Sequence, residues 1–408
     1  LREAAFRRQY FARAISQTGG AVAPVALAFG VLAATGSPAA LGIVLAAFSV
    51  PQLVFMLAGG VWADRLPRQR IMMTADAVRF ITQTTFGVLL LTGHAPLWAM
   101  VLLEIAAGTA SAFSFPATLG LTSDTVKPDQ LQSANALLAL TLDMTNTVGP
   151  LVAGVAVAFS SAGWVLVFDG LTFAASVSIL AGLRLPPRAP RERQSFFGDL
   201  RDGWREVRTR TWVWLSIVYF MVFNLVFAAI DVLGPASVAK RPHGALAWGA
   251  IAAALSAGQL LGNSMALRLR PRRLLATSRW WELLAVPLCV ALGLNAPLPA
   301  LIVGAVLAGV SFSFPDALWF TALQQHIPEQ AISRVLSFDA MGSFVLRPLS
   351  YTTAAAAVAG LGVGPTLIGG GVVIALFSMG TLLVPSIRTL TRTDLSSIED
   401  TQVATPTT

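Results

Sequence analysis

The chain has 408 residues, 55% of them hydrophobic and only 12% charged, with a mean hydropathy of +0.70. A soluble domain carries about 25% charged residues, so this chain has too little polar side chain to cover a water-facing surface. The formal net charge of +8 would point to nucleic acid in a soluble protein, but here its distribution along the chain matters more than its size. Cys289, the single cysteine, lies in an apolar run, which excludes an intramolecular disulfide and a cysteine-rich metal site.

A helix that crosses a membrane needs about 20 mostly apolar residues, because hydrocarbon offers no partner to backbone N–H and C=O groups. Such runs are predicted over 10–33, 38–61, 71–92, 97–121, 132–158, 163–184, 212–235, 246–268, 274–294, 298–322, 335–359 and 362–385. The first run is followed by many of the same kind and reads as a span rather than a cleaved signal peptide. The fold class expected is an all-α membrane protein of twelve transmembrane helices.

The connections alternate in charge. One set holds Arg2, Arg7 and Arg8, then Arg65, Arg68 and Arg70, Lys127, Arg184 through Arg210, Arg268 through Arg273, Arg334, Arg388 and Arg392; the other holds only Lys240 and Arg241. By the positive-inside rule both termini are cytoplasmic, which requires an even number of spans. Residues 185–211 form the one long charged stretch, with 198–208 patterned as a short amphipathic helix for the anionic leaflet or, equally, as a solvated linker. The expected organisation is a six-helix bundle over 1–184, this linker over 185–211, a second six-helix bundle over 212–385 and a polar cytoplasmic tail over 386–408.

An internal repeat supports two like halves. Phe113-Ser114-Phe115-Pro116 is followed by Pro128-Asp129-Gln130, and Phe312-Ser313-Phe314-Pro315 by Pro328-Glu329-Gln330, each at the end of the fourth span of its half. Two matching halves around a midplane site are the architecture of rocker-switch carriers.

Gly60-Val61-Trp62-Ala63-Asp64-Arg65-Leu66-Pro67-Arg68-Gln69-Arg70 resembles the signature loop of the major facilitator superfamily, with Pro67 in place of the usual glycine. The resemblance implies that Gly60 allows close helix approach, that Asp64 caps or neutralises a helix end, and that Arg65, Arg68 and Arg70 hold the inner side closed in the outward-open state. Asp339 is expected at the same inner gate, close to the loop arginines. Gly149-Pro150-Leu151-Val152-Ala153-Gly154 is similar to the glycine-proline motif of the family's antiporters, which tilts the direction towards export; a mere packing bend is the alternative. Val167 to Phe173, Asp199 to Arg205 and Ser333 to Asp339 resemble the subfamily of bacterial enterobactin exporters and macrolide efflux proteins. One departure matters: where many drug–proton antiporters have an arginine in span 4, this chain has Glu104.

A carried proton needs a side chain that loads and unloads it within the membrane. The three histidines fall in or beside loops, and acidic residues near a bilayer centre are functional suspects because they cost roughly 2.5 to 3.5 kcal/mol there. Glu104, Asp143 and Asp316 are the candidates, Glu104 first; the alternative is a carboxylate paired with Arg79, Arg347 or a helix end. Asp76, three residues from Arg79 on one helix face, fits that structural role. Because spans 1, 4, 7 and 10 line the cavity in the family's fold, the resemblance nominates Gln17, Phe113, Tyr219, Asn224, Phe227, Phe312 and Trp319 as substrate contacts, each aromatic having packing or lipid contact as its alternative. An aromatic cavity with few charges suits a bulky, apolar or weakly cationic ligand.

No Gly-x-x-x-x-Gly-Lys-Ser/Thr loop and no metalloprotease or hydrolase motif occurs, so an ion gradient is the expected energy source, with no enzyme activity, cofactor or metal. The sequence thus reads as a monomeric, proton-coupled antiporter of the bacterial inner membrane that exports a drug-like or secondary-metabolite molecule, its partners being substrate, protons and lipid and not nucleic acid. An importer or uniporter of a nutrient, and a non-transporting receptor or lipid-handling protein, are the alternatives.

Overall fold

The computed structural model describes residues 3–65, 67–127, 130–183 and 204–392. The first half contains α1 (Ala4–Thr35), α2 (Pro38–Arg65), α3 (Arg68–Leu91), α4 (Leu97–Thr125), α5 (Leu131–Phe159) and α6 (Ala162–Ala181). The second contains α7 (Thr211–Val238), α8 (Gly244–Arg268), α9 (Leu274–Gly293), α10 (Leu298–His326), α11 and α12 (Val363–Leu382). α11 is built from two pieces, α11a (Glu329–Phe344) and α11b (Arg347–Leu361).

Ten of these helices are long and apolar enough on their own to cross a membrane. α3 and α11 complete the twelve. α3 is less apolar because it carries Arg68, Arg70, Asp76 and Arg79, and α11 is interrupted ahead of Pro348, whose ring blocks a continuous hydrogen-bond ladder. Both helices turn polar groups inward, with Asp76, Gln83, Ser343 and Ser350 buried against protein. Large apolar side chains such as Val54, Ile81, Leu102, Trp164 and Leu376 stay on the outside. Together they make a surface that acyl chains cover and water does not.

The helix partnerships repeat. In the first half α2 packs on α4, α3 on α6, and α1 on α5 and α6; in the second α8 packs on α10, α9 on α12, and α7 on α11 and α12. Each pair in the first half thus has its counterpart six helices on, and the chain forms two pseudo-symmetric six-helix bundles as expected. The Phe-Ser-Phe-Pro repeats fall in α4 and α10, which occupy equivalent places.

Two segments differ from expectation or extend it. Of the stretch 198–208, patterned as a surface helix or a solvated linker, residues 198–203 lie outside the described residues, whereas 204–209 are helical and Trp204 packs on Phe338 of α11a, ring centroids 5.7 Å apart. Residues 386–392, expected to begin a polar tail, are docked instead. Pro385–Arg388 make one helical turn, Ile387 is buried, Arg392 N–H donates to the Arg272 carbonyl at 2.8 Å, and Leu274 N–H donates to that of Leu390 at 3.2 Å. Burial of Ile387 and Leu390 in the second bundle outweighs the polarity of their neighbours.

Candidate functional site

Odd-numbered helices start on the face that carries the termini and even-numbered ones on the opposite face, which fixes where the bundles touch. Near the opposite face α5 crosses α8 backbone to backbone: a Cβ at Gly154 would lie 2.6 Å from the Ala245 carbonyl oxygen, and one at Gly249 would lie 2.4 Å from that of Pro150. Only glycine permits such an approach, the small-residue packing that lipid-embedded helices use in place of a hydrophobic drive. α2 meets α11b in the same half, where a Cβ at Gly42 would overlap the Tyr351 carbonyl. Towards the terminal face Asp143 of α5, Asn263 and Ser264 of α8 and Ala317 of α10 line a cavity of ≈ 670 Å³. The bundles thus meet backbone to backbone away from the termini and have a cavity between them towards the termini.

Deeper between the bundles, α2, α4 and α11 enclose a cavity of ≈ 430 Å³ lined by Phe48, Ser49, Gln52, Ser111, Phe344, Arg347 and Tyr351 among others. Gln52 Nε2 donates to Ser111 Oγ at 3.2 Å. The interruption of α11 puts Arg347 at the first position of α11b, from which its Nη2 donates to Asp231 Oδ2 of α7 at 3.0 Å and lies beside the Tyr351 hydroxyl, which donates to the same oxygen at 3.3 Å.

A second charged group lies inside the first bundle. Glu104 of α4 and Asp169 of α6 are buried, and both stand in the field of Arg79 of α3. Neither oxygen of Asp169 has a hydrogen-bond partner, and the Arg79 Nε is likewise unpartnered. The Arg79 guanidinium instead lies 4.0 Å from the centre of the Phe173 ring. Gly19 of α1 covers this group so closely that a Cβ there would come 2.5 Å from Asp169 Oδ1. Asp76, expected to pair with Arg79, accepts a hydrogen bond from Ser176 Oγ at 2.6 Å.

The second bundle seals its own ion pair. Arg279 Nη1 and Glu282 of α9 are 2.8 Å apart with side chains 0% and 2% exposed, and Arg279 also donates to Ser216 and lies 4.0 Å over the Tyr219 ring. This corrects two cavity nominations. Tyr219 and Trp319 are each 1% exposed; Tyr219 supports Arg279, and Trp319 Nε1 donates to Asp339 Oδ2 at 3.0 Å. Both are consumed by contacts within one bundle. Asp339, expected at the inner gate, is thereby tied to α10 and also accepts from Ser343 at 3.1 Å.

The other nominated residues are spread out. Gln17 is half-buried with an unpartnered Oε1, Phe113 faces Phe55 with centroids 6.3 Å apart, and Asn224 donates to the Phe220 carbonyl at 2.9 Å. Phe227 and Phe312 form an edge contact at 4.4 Å. Asp316 is exposed, so Glu104, Asp143 and Asp316 occupy three different settings: buried, half-buried on the cavity towards the terminal face, and exposed. In the signature loop Arg68 pairs with Asp124 at the end of α4 at 3.2 Å, within the first bundle, while Arg70 is exposed. Gly60, Asp64 and Arg65 fall in the last turns of α2, and their side chains lie outside the described residues.

Sequence reasoning missed Asp231 and the Arg279–Glu282 pair, and named Asp169 only within a motif. The signal was there for Asp231, a lone acid in the apolar run 212–235, the same rule that selected Glu104.

Comparison with known proteins bears on the whole of this arrangement. The description of the Major Facilitator Superfamily matches residues 10–349. The chain belongs to that superfamily. Among similar proteins, the enterobactin exporter EntS of Salmonella typhimurium is 26% identical over 379 residues, which is 88% of this chain and 89% of that protein. EntS of Shigella boydii serotype 18 is 26% identical over 384 residues, 90% of each. Two solved superfamily-like folds superpose along nearly the whole chain. One is a bacterial homologue of the human lysosomal transporter Spinster in an inward-facing, unoccupied conformation, with TM-score 0.66, 15% identity, and coverage of 94% of this chain and 96% of that one. The other is the nucleoside transporter NupG, with TM-score 0.70, 12% identity, and coverage of 93% and 98%. This superfamily member is therefore a multi-pass membrane transporter.

Proposed function

We propose that the chain is a proton-coupled antiporter that exports a drug-like or secondary-metabolite molecule across the bacterial inner membrane by alternating access. It acts as a monomer, with bundles over 1–184 and 212–385, the linker over 185–211 and the C-terminal stretch over 386–408. The charge asymmetry of the connections supports a cytoplasmic terminal face, and with that orientation the contact at Gly154 and Gly249 fits an inward-open state that receives solute from the cell. The full-length similarity to enterobactin exporters supports the outward direction.

The observation that carries the coupling is the charge count inside the first bundle. Asp76, Glu104 and Asp169 are all buried there, and among the described residues Arg79 is the cation that acts on all three. Ionising all three would leave two uncompensated negative charges, each costing several kcal/mol in a dry interior. A proton held by Glu104 or Asp169 relieves that cost, and its release on the inner side drives the return. Asp143, on the cavity towards the terminal face, and the exposed Asp316 are secondary positions on the same route. Of the cavity nominations, Gln17, Phe113, Asn224, Phe227 and Phe312 keep their role as solute contacts.

Everted membrane vesicles test this reading. Solute uptake driven by an inside-acid gradient is expected, and Glu104→Gln should abolish it while leaving expression normal. Uptake that merely equilibrates without a gradient would instead indicate a uniporter.

A further inference from the structure

Asp231 and Arg347 form a different kind of ion pair from Arg279 and Glu282. The latter is sealed, whereas Arg347 and Asp231 keep 33% and 44% of their side-chain surface open at a 3.0 Å contact. Arg347 and Tyr351 form one wall of the ≈ 430 Å³ cavity, opposite Phe48 and Gln52 of α2 and Ser111 of α4, with Phe344 beside them. A half-open ion pair adds little to stability. An acid kept within a membrane-spanning run without that benefit is a functional residue by default.

We propose that Asp231 is the carboxyl at which the second bundle exchanges a proton for an organic cation, Arg347 relaying its charge state to the cavity wall. This rests on the export reading above and assigns its substrate class. With Asp231 ionised, Arg347 is neutralised and the cavity offers the rings of Phe48, Phe344 and Tyr351 to an apolar cation. A proton arriving on Asp231 removes that balance. Arg347 then presents an unbalanced positive charge to the same space and repels a bound cation. Proton and cation exclude each other, which is what antiport requires.

An anion finds no such site, since Arg347 is already engaged and Asp231 would face a like charge. Among the described residues, α11b brings Arg347 and Tyr351 to Asp231, α1 and α2 carry charge only towards the terminal face, α12 carries none, and α9 contributes no titratable group in this region beyond the buried thiol of Cys289.

Binding of tetraphenylphosphonium to the purified full-length chain, followed from pH 8 to pH 5, tests the assignment. The wild type should bind with an affinity that falls up to tenfold per pH unit on acidification and should release a proton as the cation binds. Asp231→Asn should bind at least tenfold more weakly at high pH and without pH dependence, while Lys240→Gln, exposed in the loop between α7 and α8, keeps the dependence. Should Asp231→Asn fail to fold, a hydrophobic carbodiimide on the wild-type protein should label Asp231, with protection by the cation read by peptide mass spectrometry. Persistent pH dependence in Asp231→Asn, absent protection, or tighter binding of 1-naphthoate at low pH would each overturn the inference. Intact gradient-driven export with pH-independent cation binding removes this assignment alone, whereas absent export with intact proton–cation competition removes only the export reading.

Discussion

Arg279 shows how a charge survives in the interior of a membrane protein. Its Nη1 donates to Glu282, its Nη2 to Ser216, and the guanidinium lies against Tyr219, so the buried group is held within protein. Removing one member strands the other: Arg279→Ala should lower stability by about 3 to 5 kcal/mol, read as loss of monodisperse protein and a lower midpoint of thermal unfolding in detergent. Replacing Arg279 and Glu282 together by Met and Leu should recover much of that loss, because no charge is then left unpaired. Asp169 is the contrary case, an acid with no donor to either oxygen. Its side chain is confined by Gly19, and Gly19→Val should therefore impair folding or transport more than the same change at Gly20, where a Cβ meets open space.

At the scale of helices, the Gly-Pro segment of α5 does more than bend. Pro150 offers its carbonyl to Gly249, and Gly154 lets α8 approach within backbone contact, so the motif is half of the closure at the face away from the termini. Gly249→Leu should prop that contact apart, reducing transport by tenfold or more at normal expression and increasing labelling of a cysteine placed at Tyr351 by an impermeant maleimide applied from outside intact cells.

The helices themselves were legible in the sequence, because hydrocarbon imposes one length on every span and the twelve predicted runs fall on the twelve observed ones. What the runs could not reveal was which face of each helix turns inward. Trp319 looked like a cavity residue by helix number, yet Asp339, 20 residues on in α11a, claims its indole N–H. Asp231 and Arg347 are separated by 116 residues, and nothing local to either announces the other. Glu104 was legible for the opposite reason: an acid in an otherwise apolar helix needs no partner to be conspicuous.

For the whole molecule, the proposed orientation rests on the charge of the connections and is directly testable. A cysteine at Lys240 should react with an impermeant maleimide added outside intact cells, and one at Arg272 should react only after permeabilisation; the reverse pattern would invert the proposed transport direction. The two bundles are joined mainly by α5 with α8 and α2 with α11b, and among the described residues no side-chain hydrogen bond or ion pair links α5 to α8.

That bare glycine seam has a consequence for how the switch responds to its surroundings. A latch made of dispersion forces alone is indifferent to ionic strength, since there is no charge for salt to screen. It is sensitive to the lateral squeeze of the bilayer, so changing acyl-chain length in proteoliposomes should bias which side stands ajar, while raising potassium chloride should not.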